Sequence, residues 1–319
     1  MYNIDGDNMK EFNFLSSDNE TNIHMVIWEP KTEVKLIVQI IHGVTENIMR
    51  YEQLAHFLNT KGILVVGIDL LGHGLSTNNG KKKMYFGKEG SWFDVVKDIH
   101  TCHSIIKKDF PNIPYVMLGF SLGSFLLRTY LIDYPNNCDG AIIIGTGQTP
   151  NFQIALAQMV VKNETKKYGD NVVTDQIRKL TFETYNKKFT PNRTPYDWLC
   201  SNNEELDKYI DDPLRGESMT VGLFREMLNG MKYTGNLKNV IKMDKNIPIL
   251  LLSGGKDPVG DFGKGFNKAV SLFNKAGIRS ISSILYPDLR HDILHENPHI
   301  NIYNDIYFWL EKKVSNKNI

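Results

Sequence analysis

Cysteine is scarce: Cys102, Cys138 and Cys200 are the only three in 319 residues. Odd in number, far apart and without metal-ligand spacing, they exclude a disulfide framework and read as buried or free thiols in a reducing compartment. An excess of either charge is missing too. Lys and Arg number 37 against 36 for Asp and Glu, a formal net charge of +1, so no global field draws a nucleic acid or an anionic membrane. The one notable basic run, Lys81-Lys82-Lys83, follows Asn78-Asn79-Gly80 and reads as a solvated loop. Nor does any apolar run approach the ~20 residues of a membrane span. Met1 to Asp7 carries neither a basic n-region nor an apolar h-region, so the expectation is a cytoplasmic protein without a secretory signal.

What the chain does have is 41% hydrophobic residues, enough for a large core in one domain with an insertion or in two domains. Its organising stretch is Gly119-Phe120-Ser121-Leu122-Gly123, which fits G-x-S-x-G. The apolar run Tyr115 to Leu118 precedes it, and Leu122 to Asp133 follows with apolar residues at helical spacing. Ser121 is therefore expected on a sharp strand-to-helix turn that pushes its oxygen out of a sheet and points the Leu122 N–H at a developing oxyanion.

Other strand-like runs are Ile23 to Trp28, Leu36 to Ile41, Ile63 to Ile68, Ala141 to Ile144, Ile249 to Leu252 and Ile281 to Leu285. They alternate with helical patterns, among them one opened by a capping box at Ser91 to Asp94. That rhythm predicts an α/β, mostly parallel, doubly wound sheet with its site at the carboxyl ends of the strands. His42-Gly43-Val44 follows an early core strand, where the Val44 N–H can serve as the second oxyanion donor. Asp257 falls in a turn just past a strand end, placed to orient a histidine, and is preferred over its rival Asp261 because it is nearer the strand. His291 is the first histidine past the last strand. His73 precedes the serine, out of triad order, and reads as structural. His291, His295 and His299 recur every fourth residue, but Asn297-Pro298 breaks a continuous helix, so no metal is expected. From 148 to 230 no strand pattern appears. This segment reads as a helical cap inserted into a core of 1–147 and 231–319, with Trp198, Phe224 and Met227 as pocket-lining candidates whose default explanation is packing within the cap.

Collected, these residues resemble the monoacylglycerol lipase and lysophospholipase group of α/β-hydrolases, the serine aminopeptidase S33-like set. The motifs are His42-Gly43-Val44-Thr45-Glu46 with Arg50-Tyr51, Asp69 to Ser76 as D-x-x-G-H-G-x-S, Gly119 to Phe125, Asp257-Pro258-Val259 and Arg290-His291. Two positions depart from the family habit of histidine: Phe120 before the nucleophile and Asn47 after the loop glutamate. The resemblance implies a Ser121, Asp257, His291 triad, oxyanion donors at Val44 and Leu122, and substrate contacts at Phe120, Trp198 and Val259. It implies a small-molecule ester substrate, no cofactor, and transient lipid-surface contact through the cap, and it leaves the oligomeric state open. The rival readings are a short-chain carboxylesterase, an aminopeptidase whose amine site would use Glu204, Glu205, Asp207, Asp211 and Asp212, and a non-catalytic binding protein.

Overall fold

The computed structural model describes residues 9–181 and 184–314; the segment read for a secretory signal lies outside them. One sheet holds β1 (Met9–Leu15), β2 (Asn22–Trp28), β3 (Leu36–Ile41), β4 (Ile63–Ile68), β5 (Tyr115–Phe120), β6 (Gly140–Ile144), β7 (Pro248–Gly254) and β8 (Ser280–Tyr286). Their spatial order is β1-β2-β4-β3-β5-β6-β7-β8, and every pairing from β4 through β8 is parallel. β1 and β2 pair antiparallel at one edge. β3 through β7 are buried along their whole length, which is why they read as nearly unbroken apolar runs. Gln39 of β3, polar among them, is satisfied inside: its amide donates to the Ile99 carbonyl (3.0 Å) and its oxygen accepts from Tyr115 (2.6 Å).

The helices α1 (Glu52–Asn59), α2 (Trp92–Asp109) and α3 (Leu122–Asp133) follow β3, β4 and β5 in turn. The stretch between β6 and β7 carries α4 (Asn151–Tyr168), α5 (Asp175–Leu180), a 3-10 turn at Tyr185–Phe189, α6 (Asn203–Asp211), α7 (Val221–Thr234) and α8 (Leu237–Val240). Finally α9 (Lys264–Lys275) joins β7 to β8, and α10 (His299–Lys313) closes the chain. α2, α3 and α9 pack on one face of the sheet, and α1 and α10 on the other. This is an α/β-hydrolase fold. Among the described residues no helix is long and apolar enough to cross a membrane.

One local expectation changes. Ser91 adopts helical angles (φ −64°, ψ −10°) and its side chain caps nothing. The start of α2 is capped from across the fold instead, by fully buried Glu226 of α7, which accepts from the N–H groups of Gly90 (3.1 Å) and Trp92 (3.0 Å). A carboxylate at the positive end of α2 supplies more than a local hydroxyl would. α7 runs to Thr234 and packs on both α4 and α3, more extensively on α4.

Arg128 of α3 fastens both chain crossings of the inserted segment. Its guanidinium, 1% exposed, donates to Thr146 Oγ1 (3.2 Å), the Gly147 carbonyl (2.9 Å) and Gln148 Oε1 (2.9 Å) where the chain leaves β6. It also donates to the Thr234 carbonyl (3.1 Å) where α7 returns. Among the described residues no carboxylate pairs with it, and burial lowers its pKa to about 10. Replacing Arg128 by Met strands these acceptors in the interior, so the unfolding free energy should fall by about 2 to 4 kcal/mol. The expected reading is a lower urea midpoint at an unchanged m-value.

Candidate active site

Ser121 sits between β5 and α3 with φ 52° and ψ −116°, a region that a non-glycine residue occupies only when its surroundings enforce it. The enforcement is steric. A β-carbon on Gly123 would lie 2.0 Å from the Ile41 carbonyl oxygen and 2.6 Å from that of His42, and one on Gly119 would lie 2.4 Å from the Gly123 oxygen. Only glycine at both positions lets α3 start so close to β3.

The turn presents Ser121 Oγ 2.9 Å from His291 Nε2. His291 Nδ1 lies 2.9 Å from Asp257 Oδ1, and both side chains are almost fully buried. With its proton on Nδ1, facing the carboxylate, the ring accepts from the serine hydroxyl at Nε2. Asp257 Oδ1 also accepts from the Val259 N–H (2.8 Å). Asp261, the rival acid, is exposed and takes no part. Burial works against the imidazolium, but the neighbouring Asp257 carboxylate outweighs it and holds the His291 pKa above the ordinary histidine value, with Asp292 and Glu46 adding to the effect. The ring is flanked by Phe120 (centroids 4.9 Å apart) and by Trp198 from the inserted segment (5.3 Å).

The loop after β3 leaves the sheet level with this turn, because Ile41 pairs with Gly119. That register brings His42 to Thr45 beside Ser121. The loop is tightly held. His42 Nδ1 donates to the Gly43 carbonyl (2.7 Å), and its Nε2 accepts from the Leu70 N–H (2.9 Å). Glu46 accepts from the Gly43 N–H and from Tyr51 (2.7 Å) and pairs with Arg50 (3.0 Å). Arg50 in turn pairs with Asp292 (2.7 Å), next to His291. Asp69 accepts from the Ile48 (2.8 Å) and Leu75 (2.9 Å) N–H groups and contacts His24 (2.9 Å), so its motif braces the same loop. Leu122 opens α3, where a helix leaves its first N–H groups without an intrahelical partner.

A family model described as Hydrolase_4, serine aminopeptidase S33, matches residues 32–298. The chain belongs to that family. This hydrolase is 24% identical over 293 residues to the monoglyceride lipase of Mus musculus, a match covering 90% of the chain and 86% of the relative. The monoglyceride lipase homolog of Monkeypox virus is 28% identical over 246 residues, covering 75% and 77%. Among solved structures, a thermostable carboxyl esterase from Bacillus coagulans in complex with glycerol has a TM-score of 0.88 at 24% identity, covering 96% of this chain and 98% of the other.

Of the remaining expected site residues, Val259 lines a cavity of about 410 Å³ together with Tyr185, Phe224 and Met227. Phe120 and Trp198 pack on the imidazole instead. Neither that cavity nor a larger one of about 890 Å³, around Arg178, Arg193, Tyr196 and Arg215, is lined by Ser121, Asp257 or His291; the smaller one reaches the residues next to the acid, Pro258 and Val259. His73 is buried, contacts the Leu71 carbonyl (3.2 Å), and burial pushes its pKa down to about 3, in keeping with a neutral structural ring. The three evenly spaced histidines diverge: His295 engages Asp292 (2.8 Å) and the Arg50 carbonyl (3.0 Å), and His299 lies tilted against the Tyr303 ring. The Glu46, Arg50, Asp292 and His295 network was not foreseen as a unit; His-Gly-x-x-Glu followed by Arg-Tyr was its signal.

In an NMR titration His291 should lose its proton above the ordinary histidine pKa. In Asp257→Asn burial acts without that opposing charge, so the midpoint should move to lower pH than in the parent protein.

Proposed function

We propose that this hydrolase cleaves carboxylic esters of lipid-like substrates, monoacylglycerol or lysophospholipid, through an acyl-enzyme on Ser121. The observation that carries the reading is the chain of two 2.9 Å contacts from Ser121 through His291 to Asp257, set on an enforced elbow. His291 Nε2 takes the hydroxyl proton as Oγ bonds to the carbonyl carbon, and the imidazolium faces Asp257. Collapse breaks the bond to the alcohol oxygen, which leaves with the proton from His291. Water then attacks the acyl-enzyme with His291 again as base, releasing the acid and restoring Ser121. The Val44 and Leu122 N–H groups hold the oxyanion in both steps, each worth about 3 kcal/mol. No metal or organic cofactor enters the scheme.

The lipid-like substrate rests on two supports. The mouse and Monkeypox virus relatives are named for monoglyceride lipases. The cavity beside Val259 offers an acyl chain the apolar side chains of Ile154, Phe224, Met227, Leu228 and Met231. Residues 148–230 act as the cap over that cavity. On its α4, Phe152, Leu156 and Met159 are 65%, 59% and 64% exposed at helical spacing, an apolar stripe suited to transient contact with a lipid surface. Three of the five acidic residues that an aminopeptidase would draw on are engaged elsewhere: Glu205 pairs with Lys208 (2.6 Å), Asp207 with Arg193 (2.7 Å), and Asp212 accepts from Asn47. The described cysteines are free and buried, which suits a cytoplasmic enzyme.

Initial rates on acetate, octanoate and palmitate esters, monoacylglycerols, lysophospholipids and an aminoacyl amide test this directly. A maximum at medium or long acyl glycerols or lysophospholipids is expected, with Ser121→Ala lowering kcat by about a thousandfold or more. Activity confined to the amide or to acetate would overturn it. Replacing Phe152, Leu156 and Met159 together by Ser should slow hydrolysis of vesicle-borne substrate far more than of a soluble ester.

A further inference from the structure

The backbone on either side of His291 is held by groups tied to the inserted segment. The Arg290 N–H donates to Glu296 Oε1 (3.0 Å), and the Asp292 N–H donates to the Leu199 carbonyl (2.7 Å). The other oxygen of Glu296 accepts from the Ser201 N–H (3.0 Å) and from the Ser201 hydroxyl. Glu296 is 1% exposed, so both carboxylate oxygens are spent on these bonds away from water. The Arg290 guanidinium donates to the carbonyls of Asp197 and Cys200 and lies over the Phe189 ring (4.6 Å). Asn202 adds a bond to the His295 carbonyl (3.2 Å). The sheet, by contrast, grips this loop just upstream, through the Gly255 N–H to Tyr286 and the Lys256 N–H to Leu289. Beyond Leu289 the core holds the loop through the Arg50 contact to Asp292 and His295 and through Ile293 and Leu294, buried among core side chains, and no backbone bond to the sheet is made there among the described residues.

We propose that Glu296 is a positioning residue for His291: it clamps the histidine loop to Leu199–Ser201, so that the inserted segment is part of the support of the imidazole as well as the roof of the pocket. The inference rests on the catalytic reading of Ser121 and His291. A carboxylate is suited to the task because it accepts from two backbone N–H groups at once, each bond charge-assisted. An amide side chain has one acceptor oxygen, and its nitrogen can only donate, so it cannot offer a separate acceptor atom to each segment. Because the imidazole must keep both 2.9 Å contacts, a displacement of about 1 Å in the loop is enough to cost about a hundredfold in rate.

The test uses Glu296→Ala, Glu296→Gln and Ser201→Ala in the full chain, with p-nitrophenyl acetate as a minimal substrate that asks little of the acyl cavity. Glu296→Ala should lower kcat about 10- to 100-fold while KM moves much less, and the pH midpoint of kcat/KM should fall as the Asp257 contact loosens. Glu296→Gln, which keeps one acceptor, should lie between it and the parent, and Ser201→Ala should show the same direction at smaller size even where Glu296→Ala folds poorly. The proton between His291 Nδ1 and Asp257, followed as a low-field NMR resonance, gives a readout independent of any ester and should weaken or vanish in Glu296→Ala. A loss of thermal stability with kcat, pH midpoint and that resonance unchanged would overturn the inference. If the parent cleaves no ester but the resonance is lost in the variant, the clamp stands and the ester reading falls.

Discussion

A backbone contact closer than any β-carbon would permit, Gly123 against the carbonyls of Ile41 and His42, is the constraint from which the site follows. It lets α3 begin directly over β3, forces Ser121 to positive φ, and brings the first N–H groups of α3 level with the loop that leaves β3. A side chain at either elbow glycine would push α3 outward and separate the serine from that loop. The parallel sheet supplies the rest of the geometry. β5, β7 and β8 are neighbours or near neighbours, so the turns after them deliver the serine, the acid and the histidine to one edge.

Around that edge the structure relies on buried charge with assigned partners. Glu46, Arg50 and Asp292 join the loop after β3 to the residue following His291. Glu226 joins α7 to α2, and Arg128 joins two segments with neutral acceptors alone. Each buried ion is costly to desolvate, and each is compensated by bonds between parts of the chain far apart in sequence. Such groups specify relative position, since moving either segment leaves a charge unsatisfied.

Sequence reading works here where a local pattern has a local cause. The buried strands were legible because both faces are covered, and α3 was placed from Leu122 to Asp133 because its ends carry their own signals. Asp257 and His291 were legible because each follows a strand end. β1 was not read as a strand: Met9 to Leu15 lies at the sheet edge, mostly half-exposed, and its mixed polar pattern looks like loop. The capping box at Ser91 failed because Ser91 is itself helical: the Phe93 and Asp94 N–H groups it would have capped bond to the Gly90 and Ser91 carbonyls, while Glu226, far along the chain, takes those of Gly90 and Trp92. Trp198 was named as a substrate contact, but its place against the imidazole depends on the bonds of Asp197 to Asn202 with the histidine loop. Those are long-range partnerships, and no spacing rule within either segment encodes them.

The single guanidinium at both crossings of the insertion has a consequence for how such chains diversify. Arg128 binds at Thr146 to Gln148 and again at Thr234, so the intervening stretch is closed at its base like a loop tied at the neck. A change within α4 to α5 would leave those two ends where they are, whereas one reaching Trp198 to Ser201 would disturb the loop of His291.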